Sequence, residues 1–160
     1  MKITRLPGTV ALIFAAGVLS GCATLPSPEE MKKETASFQL PKSPEAGKAV
    51  VYVVRPTELG GLIRFNVFVD DKEDSSEMGY TRGSQYIYFN LAPGDHKIFS
   101  KAENWAETDV SANAGDVIFI QQEPSMGIIM ARNSLVRIEA LPGTYYVKTL
   151  KLGTIGKTDK

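Results

Sequence analysis

A chain of 160 residues, 43% hydrophobic and 22% charged, holds one domain of ordinary size and can bury a core. Eighteen basic side chains balance eighteen acidic ones, and without residues 1–21, which hold Lys2 and Arg5, the net charge is about −2. That excludes the concentrated basic footprint of a nucleic-acid binder, so no nucleic acid is an expected partner. The chain then opens on three zones: Lys2 and Arg5, an apolar run from Val10 to Leu19, and Ser20-Gly21 before Cys22. The apolar run is about ten residues, short of the roughly 20 needed to span a bilayer. It is apolar on every side, unlike the one-sided stripe of a core helix, and so reads as a secretory signal.

Leu19-Ser20-Gly21-Cys22 resembles the bacterial lipobox, the recognition site of the lipoprotein signal peptidase. The resemblance implies that residues 1–21 are a signal peptide removed before Cys22. It also implies a diacylglycerol on the Cys22 sulfur and a further acyl chain, such as palmitate, on the freed amine. Two or three chains on one residue hold a protein where a single myristoyl chain is marginal. Cys22 is the only cysteine, so none remains for a disulfide. Ala23 stands where Asp would resemble an inner-membrane retention signal. The expected location is therefore the cell outer membrane, facing the periplasm, with the lipid on Cys22 as the membrane contact.

Residues 22–47 have linker composition, with Pro26, Pro28, Pro41 and Pro44 among Ser, Glu and Lys. Within them Ser27 suits an N-cap, Pro28 the first helical position and Glu30 a capping box, predicting at most a frayed helix. Such a tether spans roughly 80 Å extended, or about 25–30 Å as a coil, leaving the domain free to move off the membrane.

From residue 48 short runs of strand character follow. Residues 48–55 are apolar on both faces and suit a central strand. In 63–70, Ile63, Phe65, Val67 and Val69 alternate with polar residues, Phe68 excepted. Residues 84–90 and 95–101 flank a Leu-Ala-Pro-Gly turn that reads as a hairpin, and 105–112 and 116–122 flank Asn113-Ala114-Gly115. Strands at 127–131 and 134–140 complete the series. About seven to eight short strands without a long helix predict an all-β fold, an antiparallel β-sandwich over 48–152. Residues 142–152 fit either a helix opened by Pro142 or a last strand, and 153–160 read as a loose tail.

The runs GKAVVYVVRP, NLAPGDHKIF and NAGDVIFIQ together resemble DUF2846, a domain of unknown function found in small bacterial lipoproteins. The resemblance covers about two-thirds of the chain and implies a sandwich of the prealbumin or PEGA type. It implies no catalytic residues, since the family has none assigned.

Chemistry is sparse. His96 is the only histidine and follows a turn; with Cys22 committed to lipid it has no nucleophile to serve. One His and one Cys cannot furnish a zinc site. The acidic run 70–77 places Lys72 and Ser75 where a calcium loop wants a ligand and a glycine. GTIGKT, 153–158, lacks the spacing and following helix of a phosphate-binding loop. Neither a metal nor another cofactor is expected. Tyr86 and Tyr88 share one parity of their strand, opposite Ile87 and Phe89. With Trp105 and Arg64 they form the candidate ligand or partner face, Tyr80 being a further ring for a stacking surface and cross-strand packing or cover of a sheet edge the competing reading. The expected function is non-catalytic: a lipoprotein whose sandwich binds another envelope component, most simply a protein. Two alternatives are an assembly or anchoring lipoprotein of a trans-envelope machine and a glycan- or peptidoglycan-binding module using an aromatic sheet face.

Overall fold

The run Ala49–Arg55 forms β1, and all seven residues are buried. The computed structural model describes residues 25–160; the expected signal zone, Leu19, Ser20, Gly21 and Cys22 lie outside them. After β1 come β2 (Phe65–Val69), a 3-10 turn (Asp74–Ser76), β3 (Glu77–Thr81), β4 (Gln85–Leu91), β5 (Gly94–Lys101) and β6 (Trp105–Ala112). Then follow β7 (Val117–Met126), β8 (Ala131–Ile138), β9 (Lys151–Leu152) and β10 (Thr154–Ile155). Two helices, α1 (Pro28–Thr35) and α2 (Ala140–Thr149), complete the described elements.

The strands build two five-stranded sheets, ordered β8-β7-β1-β4-β9 and β10-β3-β2-β5-β6. The fold is an all-β sandwich. Ala49, Val51, Val53, Ile87, Phe89, Ile118 and Ile120 of the first sheet meet Val67, Val69, Met78, Ile98 and Val110 of the second. The intervening residues of β1, namely Val50, Tyr52 and Val54, point away from that core. They pack instead with Phe119 and with Val147 of α2. Burial on both faces is why β1 reads as continuously apolar rather than alternating.

The first sheet is mixed, whereas the second is purely antiparallel. β1 runs antiparallel to β4 but parallel to β7, with Val50 beside Val117 and Val54 beside Gln121. The Leu-Ala-Pro-Gly turn does not close a hairpin, because β4 and β5 lie in different sheets. It carries the chain across the sandwich, with Gly94 at φ 139° taking the sharp change of direction. The turn between β6 and β7 crosses in the same way. Pro-Gly and Asn-Ala-Gly sequences mark a turn but not whether the next strand joins the same sheet.

Four further expectations change. Residues 127–130 are a turn between β7 and β8, not a strand. β3 was not expected, because the acidic run before it reads as loop. Residues 142–152 resolve into most of α2 followed by β9. The tail is strapped down rather than loose: β10 pairs with β3, and the Lys160 N–H donates to the Asn90 carbonyl at 3.2 Å. A side chain at Gly79 would run into the Thr154 carbonyl, so this glycine admits the strap.

The segment expected as tether is folded along the sandwich from residue 26 onward. α1 has the capping box anticipated at Ser27 and Glu30, but it is anchored, with Met31 buried. Lys148 of α2 donates to the Glu34 carbonyl at 2.6 Å. Phe38 and Leu40 pack into the Tyr52 cluster, and the Tyr52 hydroxyl accepts from the Lys42 N–H at 2.8 Å and donates to its carbonyl at 2.6 Å. Proline and charge make this stretch look like linker, whereas three apolar side chains suffice to lay it down. Together α1, α2 and residues 38–42 roof the outer face of the first sheet.

Candidate interaction surface

The four residues proposed as one face separate onto two. Tyr86 and Tyr88 lie on the outer side of the first sheet, against Tyr52 at ring distances of 6.2 and 5.7 Å. Tyr86 is 8% exposed, because the helical layer covers it. Burial raises its phenol pKa. These two rings are held by packing under the roof.

Trp105 lies on the second sheet and Arg64 immediately before its β2, and the outer face of that sheet has no helical layer over it among the described residues. Register places Tyr80, Asn66, Lys101 and Trp105 in one row across β3, β2, β5 and β6. Paired antiparallel residues project from the same face, so this row is a continuous strip. The Trp105 ring packs on Phe68 at 5.2 Å and Phe99 at 6.5 Å. This explains why Phe68 departs from its strand's alternation: it is buried on the outer face, against Trp105. Trp105 itself remains 38% exposed.

At the other end of the strip the Arg64 guanidinium lies 4.5 Å from the Tyr80 ring centre and that of Arg82 5.3 Å. The Thr154 side chain, and then the two arginines, hold the Tyr80 phenol below its ordinary pKa. Tyr80, the further ring of the expected stacking surface, stands on this face between Arg64 and Arg82.

One end of the sandwich is held by buried polar groups. Arg55, fully buried, donates to the carbonyls of Ile63 at 2.8 Å, Leu59 at 2.8 Å and Gly60 at 2.7 Å. It stacks 3.7 Å from the Phe65 ring centre. Burial lowers its pKa to about 10, which leaves it charged at neutral pH. Beside it Gln122 accepts from the Thr81 hydroxyl and donates to Ser100 Oγ at 2.8 Å, joining both sheets. These groups shape the 56–64 loop; they are enclosed and offer nothing to solvent.

At the same end the turn between β7 and β8 projects Met126, Ile128, Ile129 and Met130, with Ile128 92% and Ile129 88% exposed. Glu103, in the turn between β5 and β6, accepts the N–H groups of Ile128 at 3.0 Å, Ile129 at 2.7 Å and Met130 at 2.7 Å. Those three bonds, that from Met130 first, hold its carboxyl at about 2. Leu25 and Pro26 also lie at this end, lining a cleft of about 1010 Å³ with Pro56, Pro124, Tyr145 and Tyr146.

His96 sits at the opposite end. Its Nδ1 is 3.0 Å from Asp70 Oδ1 and its Nε2 3.0 Å from the Ala92 carbonyl, so both ring nitrogens face fixed oxygens. Asp70 adopts φ 69° there. In the acidic run, Asp71 accepts from the Glu73 N–H at 2.9 Å just before the 3-10 turn. Among the described residues no three His, Cys, Asp or Glu side chains gather as a metal site. Lys157 of the GTIGKT stretch donates to the Ser75 carbonyl, as part of the strap.

Residues 45–135 match the family model described as "Protein of unknown function (DUF2846)". A relative from Haemophilus influenzae, named only as an uncharacterized protein, is 24% identical over 151 residues, spanning 94% of this chain and 86% of that one. The family match covers more than half of the chain, and the chain belongs to the DUF2846 family.

Proposed function

We propose that this DUF2846 protein is a non-catalytic lipoprotein of the outer membrane, held by lipid on Cys22, whose sandwich binds a protein component of the cell envelope. The binding half rests on one observation: among the described residues the outer face of the second sheet is left open and is lined with Tyr80, Trp105, Arg64 and Arg82. Aromatic and arginine side chains set in place on a rigid sheet are the groups that carry binding energy at protein interfaces. The anchoring half rests on the N-terminal sequence, where Leu19-Ser20-Gly21-Cys22 follows a short apolar run and Ala23 lacks the retention-type Asp. No described helix is long and apolar enough to cross a membrane, which leaves anchoring to the lipid in this reading.

Fractionation of cells carrying Cys22→Ala tests the anchor. The variant is expected to leave the outer membrane; retention there would overturn the lipid reading. Crosslinking from Arg64 and Trp105 tests the face. Capture of one defined envelope protein, lost in Tyr80→Ala, is the expected result. If the captured species are secretion or pilus components, the trans-envelope assembly role is the correct form of the proposal. Trp105 is the one ring of the sheet-face set that is open enough to stack on a sugar. A glycan-binding role therefore predicts that its fluorescence shifts with cell-wall fragments.

A further inference from the structure

The turn between β7 and β8 is built for surroundings poor in water. Met126, Ile128, Ile129 and Met130 follow one another with no charged residue between Ser125 and Ala131. An exposed turn normally leaves its backbone N–H groups to solvent. Here three successive N–H groups are all taken by one carboxylate, that of Glu103. Hydrocarbon cannot satisfy a backbone donor, so a segment entering it must satisfy its own. Glu103 does so, and its charge is spread over the three bonds at the base of the tip.

The start of the described chain lies at the same end. Leu25 and Pro26 share a cleft with Pro124, two residues before Met126. Val54 at the end of β1 is level with Gln121, so β7 runs on past β1 to reach the tip. Cys22 precedes Leu25 by three residues, a span of about 10 Å at full extension. Flanking groups fit an interface. Asn104 binds Asn133 of β8, with Asn133 N–H donating to its Oδ1 at 2.8 Å. The next residue is Trp105, with Lys101 Nζ 5.3 Å from its ring centre. Tryptophan and long cations collect where a bilayer meets water.

We propose that the Met126–Met130 tip seats in the surface of the lipid bilayer that carries the anchor, and so fixes which end of the sandwich faces the membrane. This rests on reading Cys22 as the lipidated residue. The Glu103 carboxylate limits entry to the turn itself, as in shallow interfacial insertion. The end bearing His96 and the acidic run then points away from the membrane, and the open face of the second sheet stands upright to it.

The test uses the full mature protein, purified with its lipid and reconstituted in phosphatidylethanolamine–phosphatidylglycerol vesicles. Ile128→Cys supplies a thiol for a polarity-sensitive dye, and Asp95→Cys, at the opposite end, is the control. The dye at 128 is expected to emit to the blue and to lose most of its intensity to nitroxides on lipid tails, while the dye at 95 stays water-like. Water-like emission at 128 would overturn the proposal. Blue emission untouched by lipid nitroxides would also overturn it, in favour of a second copy or another protein over the tip. Intact mass separates the two readings: a bare Cys22 defeats the anchor, whereas a lipidated chain with a wet tip defeats only the insertion.

Discussion

The Glu103 carboxylate accepts the Ile129 N–H at 2.7 Å, from a turn that lies 26 residues further along the chain. That bond and its two neighbours place the acid's pKa at about 2, against an ordinary 4.5. A depressed carboxyl contributes stability that is fully present above its ordinary value and is lost as pH falls toward the folded one. The clamp should therefore survive pH 4 and open only near pH 2. Amide chemical shifts of Ile128, Ile129 and Met130 should titrate together there; a midpoint near 4.5 would mean the clamp does not form. Glu103→Ala should speed hydrogen exchange at the same three amides.

Arg55→Met removes the donor for three carbonyls in an enclosed site. Stranding buried acceptors and losing the stack on Phe65 should cost about 2–4 kcal/mol. Urea unfolding measures this, and exchange protection in residues 59–63 should fall more than elsewhere.

Gly143 lets α2 approach the first sheet, since a side chain there would meet the Phe119 ring. Gly143→Ala should destabilise the protein by about 1–3 kcal/mol despite alanine's higher helix propensity. Near-UV circular dichroism should report the displaced tyrosine cluster.

Tyr52→Phe deletes two bonds to Lys42 while keeping the ring. A loss of about 1 kcal/mol is expected, with faster exchange confined to residues 38–42. No change in that segment would mean that Phe38 and Leu40 alone hold it.

What the sequence reveals here is local. β6 begins and ends where alternation and turn residues place it, and β1 is evident from seven apolar or amphipathic positions in a row. Sheet membership is not local: whether Pro93-Gly94 closes a hairpin or crosses the sandwich depends on which partner β5 finds. Residues 127–130 show the same limit from the other side, since apolar side chains in a short run look like a strand until the backbone donors are seen to be taken by Glu103. The candidate face was half legible. Trp105 and Arg64 stand on it, whereas Tyr86 and Tyr88 sit under a roof made by a proline-rich segment that resembles linker. Tyr80 stands on it as well, and strand register is what separates it from Tyr86 and Tyr88.

β1 takes its second neighbour from residues 117–121, far down the chain. Until those residues are made, the most apolar strand has one edge with unsatisfied amides and carbonyls. An unfinished chain of this kind is a template for self-association, and folding that waits on a distant partner is slow. Folding should accordingly require a holding factor that masks residues 49–55, and truncations ending before residue 117 should aggregate rather than fold.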